Sequence, residues 1–259
     1  MVRAKEKSNP FENRIHELDL FRGFLIILVI FDHLMWFINF YCFHSQQPFL
    51  LWYWTSDLRK VVREIVLYAF MFTCGISCYL SANNLKRGLL LLCLALGITI
   101  GTRLIQPLPM FANRIIIIDF NMLGVIAISI LLWQACSKLK DNEIWMVVAI
   151  LIVFFVFINI SKLNDTDTNY YPLKSIIYTP FNPIKEGYVA DYLPLFPYVI
   201  FLFFGGIFGR KILPRKRKFF SSHEWERPIC FLGRHTLIIY IAHEIIFTLI
   251  FMGIGALIG

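Results

Sequence analysis

Three residues that can carry charge or move protons recur at equal intervals near the start of the chain: Arg22, His33 and His44. Eleven residues bring a helix back to within about 20° of the same face, so a continuous helix would place them on one stripe, about 16 Å apart at each step. Histidine titrates near neutral pH and can act as a general base or as a nucleophile. The stripe enters an apolar run, where an ionisable side chain is costly and by default indicates function.

A second polar group lies in the apolar run LGRHTLIIYIAHE near the end of the chain. Arg234 and His235 stand where this helix is predicted to begin, and the N-terminus of a helix attracts phosphate, which arginine binds in a bidentate manner. Tyr240, His243 and Glu244 form one polar face about two turns further in. A histidine and a carboxylate inside an apolar helix predict that this face lines a site.

Three more polar residues are candidates to line the same cavity: Asp19, Asp119 and Asn121. Asp19 lies three residues before Arg22, so a plain ion pair at the membrane edge is an alternative interpretation. The six cysteines lie in or beside apolar segments with no metal-ligand cluster beside them. We therefore expect them to pack as small apolar side chains, and we expect no metal.

The elements that must position these residues are membrane helices. The chain has 58% hydrophobic and 16% charged residues. Its apolar runs of about 20 residues recur and are long enough to cross a ~30 Å hydrocarbon core. The chain is therefore predicted to be an all-α, polytopic helical bundle. It is expected to form a single domain over residues 1–259, without an internal repeat. About seven transmembrane helices are predicted: Leu20–Tyr41, Glu64–Ser81, Gly88–Leu104, Ile115–Ala135, Ile144–Ile160, Tyr192–Phe208, and one from Pro228 to the end.

The charge of the chain indicates its orientation in the membrane. The formal net charge is +8, and Lys and Arg divide about two to one between the two predicted sides. This bias places the N-terminus in the cytoplasm and accounts for the basic charge without a nucleic-acid partner. Met1–Glu17 is polar and the apolar run that follows is long, so the first span is expected to remain as an anchor. The membrane is expected to be the cell inner membrane rather than an organelle membrane. The basic run Arg210–Lys218 predicts contact with anionic membrane lipids.

Four segments together resemble one enzyme family: RIHELDLFRG, AFMFTCGISCYLS, DYLPLFPY and LGRHTLIIYIAHE, in that order. They are similar to the catalytic family of heparan-alpha-glucosaminide N-acetyltransferase, and the similarity covers nearly the whole chain. The chain also looks related to the wider membrane acyltransferases, whose first helix carries an Arg and a His eleven residues apart, here Arg22 and His33. In the lysosomal member of the family an Asn stands at the position of His33, and its catalytic His matches His44.

The resemblance implies transfer of an acetyl group from cytoplasmic acetyl-CoA to an acceptor across the membrane. His33 or His44 would act as general base or acetyl carrier. Arg22, Arg234 and His235 would bind acetyl-CoA. The acceptor would be an amino sugar or a related glycan, and a homodimer stays open. Two departures leave the base and the acceptor open: Asn121–Gly124 replaces a Gly-Ile-Leu-His pattern, and Phe37 stands where bacterial relatives often have Asp.

Two other functions remain in competition. A membrane O-acyltransferase of an envelope polysaccharide would use a hydroxyl in place of the amine. A small-solute or proton-coupled transporter would also bury His, Arg, Asp and Glu as a proton relay. The absence of an internal repeat in the sequence disfavours transport.

Overall fold

A computed structural model describes residues 15–39, 47–108, 116–162, 191–212 and 223–258. Helix makes up 83% of this part of the chain, which contains no strand, so the all-helical prediction is confirmed. Its helices are α1 (His16–Phe37), α2 (Pro48–Thr55), α3 (Asp57–Leu80), α4 (Asn84–Ile105), α5 (Met122–Cys136), α6 (Asp141–Lys162), α7 (Tyr198–Ile212), α8 (Glu226–Arg234) and α9 (Thr236–Ile258).

The chain divides into two compact units, the first made of Met1–Val66 and Arg215–Gly259, the second of Leu67–Pro214. The single-domain organisation stays a prediction. In the first unit, α1 packs against α8 and α9. Two glycines let the backbones of α1 and α8 touch: a Cβ on Gly23 would lie 2.0 Å from the carbonyl oxygen of Ile229, and one on Gly233 would lie 1.7 Å from that of Asp19. Only glycine permits this approach.

Close contacts between backbones also organise the second unit. A Cβ on Gly75 of α3 would lie 2.0 Å from the carbonyl oxygen of Leu202 of α7, and one on Gly205 equally close to that of Phe72. The small residues of the AFMFTCGIS segment therefore permit close packing, as their size predicts. By contrast, Gly97 and Gly101, which have the GxxxG spacing, face no atom within 4 Å.

Several helix ends have local causes in the sequence. The side chain of Asn121 accepts a hydrogen bond from the backbone N–H of Gly124 at 3.2 Å, which begins α5. Asn83 begins α4 in the same way through the N–H of Lys86. At the other end of α5, the Arg210 guanidinium donates to the carbonyl oxygens of Ser137 and Leu139 at 2.7 and 3.1 Å.

In the described ranges, three helices are long and apolar enough to cross a membrane: α1, α3 and α4. They become four if α8 and residues 236–251 of α9, which meet at a bend of 83°, form one broken span. These helices are consistent with the predicted membrane protein. The count of seven and the cytoplasmic N-terminus stay predictions.

Three predicted boundaries are wrong. The fourth span was expected from Ile115, but residues 116–121 are not helical and α5 begins at Met122, where Asn121 caps it. The sixth was expected from Tyr192, but α7 begins at Tyr198, because the residue before a proline avoids helical geometry and Pro194 and Pro197 intervene. The last was expected from near Pro228 to the end of the chain, and it is divided at His235 into α8 and α9.

Candidate functional site

A histidine–histidine–glutamate cluster joins α1 to α9 inside the first unit. Nδ1 of His33 lies 2.9 Å from Nε2 of His243 and also contacts the carboxylate oxygen Oε1 of Glu244. Nε2 of His243 is 3.4 Å from the same oxygen. The two imidazole rings stack with their centroids 5.1 Å apart. Residues separated by 210 positions in the chain therefore meet at one point, which we call the His33 cluster (His33, His243 and Glu244).

The hydrogen bonds of the His33 cluster select one arrangement of protons. Nδ1 of His243 lies 3.0 Å from the carbonyl oxygen of Ile239, and a carbonyl can only accept, so this nitrogen carries a proton. In the neutral ring, Nε2 of His243 is then an acceptor. Glu244 is also an acceptor when ionised, so Nδ1 of His33 must donate to both. The neutral His33 ring is consequently unprotonated at Nε2, the nitrogen with which a base acts.

Aromatic side chains surround the His33 cluster. The ring of Tyr240 lies 6.3 Å from that of His33 and 5.6 Å from that of His243, measured between centroids. Phe247 meets His243 edge to face at 5.6 Å, and it meets Phe37 edge to face at the same distance. His243 is 6% exposed. These contacts fix the orientation of the imidazoles and limit the access of water.

Asp32, the neighbour of His33, forms a second cluster that sequence reasoning missed. The Arg59 guanidinium of α3 binds the Asp32 carboxylate in a bidentate manner, Nε to Oδ1 at 2.8 Å and Nη2 to Oδ2 at 2.9 Å. Tyr53 of α2 donates its hydroxyl to Oδ1 at 2.7 Å, and Arg59 lies 3.8 Å from the centroid of the Trp54 ring. Asp32 and His33 are consecutive, about 100° apart around α1. The helix is therefore held on one side by α2 and α3, and on another by α9.

Tyr53 is tuned to remain a donor. Burial, together with the hydrogen bond to Asp32, raises the pKa of the Tyr53 hydroxyl to about 12. A tyrosine hydroxyl is protonated at physiological pH even at its ordinary pKa of about 10, and the shift extends this to more alkaline pH. A signal for this cluster exists in the sequence, since an acid inside an apolar helix requires a cationic partner. The identity of that partner, 27 residues away, requires the fold.

The predicted acetyl-CoA ligands are partly brought together, at the crossing of α1 and α8. Asp19, which is 8% exposed, lies 3.7 Å from Nη1 of Arg22 and 4.0 Å from Nε of Arg234. The predicted ion pair of Asp19 and Arg22 is therefore shared with a second guanidinium. His235 differs: its Nδ1 faces the carbonyl oxygen of Phe231 at 2.9 Å, and it occupies the exposed bend between α8 and α9.

The remaining candidates lie elsewhere. His44 falls outside the described residues. Asp119 and Asn121 belong to the second unit, where the Asp119 carboxylate accepts from Arg103 at 2.6 and 3.1 Å and Asn121 caps α5. Thr99 also donates to the Asp119 carbonyl oxygen at 2.7 Å. Asp119 therefore contacts α4, whereas the hydrogen bond of Asn121 lies within the first turn of α5.

Sequence reasoning also missed a hydrogen bond that ties α1 to α8. Nε2 of His16 lies 2.6 Å from Oε2 of Glu226, and Cys230 lies beside the ring. Sγ of Cys230 is almost equally far from both ring nitrogens, 3.6 and 3.8 Å. A sulfur hydrogen-bonded to one nitrogen would lie in the plane of the ring and would be much farther from the other nitrogen. The thiol therefore packs on the face of the ring. The three residues are a structural contact rather than a nucleophile with its base.

Comparison with known proteins supplies one match. The family model described as "Heparan-alpha-glucosaminide N-acetyltransferase, catalytic" matches residues 14–245, which include α1 and every residue of the His33 cluster. No curated protein and no solved structure matches the chain.

Proposed function

The chain belongs to the catalytic family of heparan-alpha-glucosaminide N-acetyltransferase, and we propose that it moves an acetyl group from cytoplasmic acetyl-CoA to an amino sugar or related glycan on the far side of the membrane. Family membership implies a membrane acetyltransferase. The donor, the acceptor and the roles of individual residues are the proposal. The observation that carries it is the His33 cluster, which holds one imidazole in the tautomer of a base.

His33 is the base in this proposal. An amine that attacks the thioester carbonyl must lose a proton, and Nε2 of His33 accepts it while the CoA sulfur leaves as thiolate. Glu244 orients the ring through Nδ1 and stabilises the imidazolium that forms. In other acyl-transfer enzymes a carboxylate that accepts from Nδ1–H of the catalytic histidine has the same role. In the two-step alternative, Nε2 itself attacks the thioester carbonyl, the C–S bond breaks and CoA leaves as thiolate. The acetyl-imidazole then passes its acetyl group to the acceptor and regenerates the free ring.

Acetyl-CoA reaches this base from the crossing of α1 and α8. Arg22 and Arg234 already converge on Asp19 there, which pre-orients two guanidiniums for the phosphates of CoA. Arg22 and His33 are eleven residues apart on α1, about 16 Å along the axis. The extended pantetheine arm, which separates the phosphates from the thioester, is suited to cover this distance.

The test uses purified protein in nanodiscs with isotope-labelled acetyl-CoA, with and without glucosamine. His33→Ala should lower the turnover number by about 10²–10⁴, the usual contribution of a general base. Glu244→Gln should lower the turnover number with little change in the KM for acetyl-CoA, since it acts through His33. His223→Gln is the matched control, because His223 is exposed and donates to Glu226 through its backbone N–H.

The product and the label separate the remaining alternatives. Label on His33 in the absence of acceptor would establish the two-step route, and no label with acceptor-dependent release of CoA would establish direct transfer. Acetylation of a glycan hydroxyl alone would identify an O-acyltransferase. Solute flux without any turnover of acetyl-CoA would refute the acetyltransferase and favour transport.

A further inference from the structure

The His33 cluster contains a full set of ligands for a transition-metal ion. Nδ1 of His33, Nε2 of His243 and Oε1 of Glu244 all lie within 4.8 Å of one another. Two imidazole nitrogens and one carboxylate oxygen are the donor types that hold Zn²⁺ when a fourth position is left to water or substrate. No metal was expected from the sequence, because no ligand cluster accompanies the cysteines.

The separations of these atoms agree with such a site after small movements. Bonds of about 2.0–2.1 Å in a tetrahedron place the ligand atoms about 3.3–3.4 Å apart. His243 and Glu244 have this separation, at 3.4 Å. His33 and His243 are closer, at 2.9 Å, because their nitrogens share a proton. Nδ1 of His33 is closer still to Oε1 of Glu244. An ion that replaces the shared proton would push this nitrogen away from both partners, by about half an ångström from His243 and by more from Glu244, which side-chain rotation can supply.

Contacts outside the three ligands support the same interpretation. Metal-bound histidines usually donate the second ring N–H to a carbonyl or carboxylate, which aims the other nitrogen at the ion. His243 does so, since its Nδ1 lies 3.0 Å from the Ile239 carbonyl oxygen while Nε2 points at His33 and Glu244. This bond is independent of the cluster itself. It holds the ligand nitrogen in place before any ion arrives.

We propose that His33, His243 and Glu244 form a binding site for Zn²⁺ or a similar late first-row divalent ion, and that the bound ion inhibits acetyl transfer. The ion takes the place of the proton on Nδ1 of His33. The metallated ring then carries its proton on Nε2, so that it can no longer accept one from the acceptor amine. Metal binding stands on the geometry alone, whereas inhibition rests on the proposed function.

Metal binding is measured first, on the full chain in nanodiscs and without a polyhistidine tag. Exposed Cys93 is blocked with an alkylating reagent in every sample. After equilibration with buffered Zn²⁺, elemental analysis should find one ion per chain, and Co²⁺ should give the visible absorption of a tetrahedral site. His243→Ala and Glu244→Gln should weaken binding by at least the roughly 10–100-fold that loss of an outer partner costs. The exposed His223→Gln variant should bind as the wild type does.

The outcomes separate the two proposals. Absence of stoichiometric metal, or equal binding by the folded Glu244→Gln variant, would overturn the metal site. Acetyl transfer that Zn²⁺ inhibits and a chelator restores supports the inhibitory role, and transfer unaffected by bound Zn²⁺ overturns that role. If the protein binds one ion but never turns over acetyl-CoA, the proposed function fails and the metal site stands.

Discussion

The contact between α1 and α8 yields the sharpest prediction about the fold, tested by Gly233→Ala. A Cβ at Gly233 would lie 1.7 Å from the carbonyl oxygen of Asp19 and 2.9 Å from the backbone nitrogen of Gly23. An ordinary contact needs about 3.4 Å, so the two helices must separate by about 1.7 Å at this point. A gap of even 0.5–1 Å removes roughly a quarter to a half of the dispersion energy of the atoms that line it.

The expected magnitude follows from two opposing effects. Overpacking a close contact costs about 1–3 kcal/mol, whereas replacing Gly by Ala inside a helix contributes up to about 1 kcal/mol of stability. Gly97→Ala is the matched control, because no atom lies within 4 Å of the new methyl group and only the second effect operates. The gain from Ala is common to both variants, so their free energies of unfolding should differ by the overpacking cost, about 1–3 kcal/mol, with Gly233→Ala the less stable.

The assay measures thermal or denaturant unfolding of both variants in the same detergent, together with the affinity for acetyl-CoA. Separation of α1 from α8 moves Asp19 relative to Arg234, whose atoms are now 4.0 Å apart, so the affinity should fall in Gly233→Ala alone. Gly23→Ala provides a second probe, since its Cβ would lie 2.0 Å from the Ile229 carbonyl oxygen. Equal stability of Gly233→Ala and Gly97→Ala, with unchanged affinity, would refute the contact.

Three further predictions concern single contacts. Arg59→Met should destabilise the protein by about 2–4 kcal/mol, because it leaves the Asp32 carboxylate without its cationic partner in an apolar helix. Adding Asp32→Asn should recover part of that loss, which a double-mutant cycle of unfolding free energies would measure. Asn121→Ala should cost about 1 kcal/mol through the lost cap of α5, which a shift of the unfolding midpoint would reveal, and no shift would show that the cap is dispensable. Arg234→Gln should raise the KM for acetyl-CoA with little change in turnover number, and the reverse pattern in steady-state kinetics would exclude a role in binding.

The lengths and ends of the helices show how far local sequence information reaches. In the described residues, every long apolar run forms a helix. The reason is that the backbone polar groups of an apolar segment must be hydrogen-bonded within the segment. Predicted boundaries are wrong where a helix cap or a proline lies inside the apolar run. Asn121 begins α5 late, and Pro194 and Pro197 delay α7. The bend of 83° at His235 has no comparable signal in the sequence.

The candidate site shows a similar division. The residue types and their positions within apolar helices identified His33, His243 and Glu244 separately. Their mutual contact, and that of Asp32 with Arg59, connects helices remote in the chain. Asp119 and Asn121 satisfied the same criterion of polarity, but Asp119 pairs with Arg103 of α4 and Asn121 caps α5. Polarity in an apolar segment indicates that a partner is needed without indicating which partner.

By itself, the sequence determined the class of the protein: apolar helices, costly ionisable residues within them, and membership of an acetyltransferase family. Those properties depend on hydrophobicity and on spacing along one helix, which are local. Only the tertiary structure decided that α1 meets α9 through His33 and Glu244, and meets α8 through Gly23 and Gly233. Which helices become neighbours depends on complementary packing of distant surfaces, and a periodic pattern along one segment contains no information about its partner.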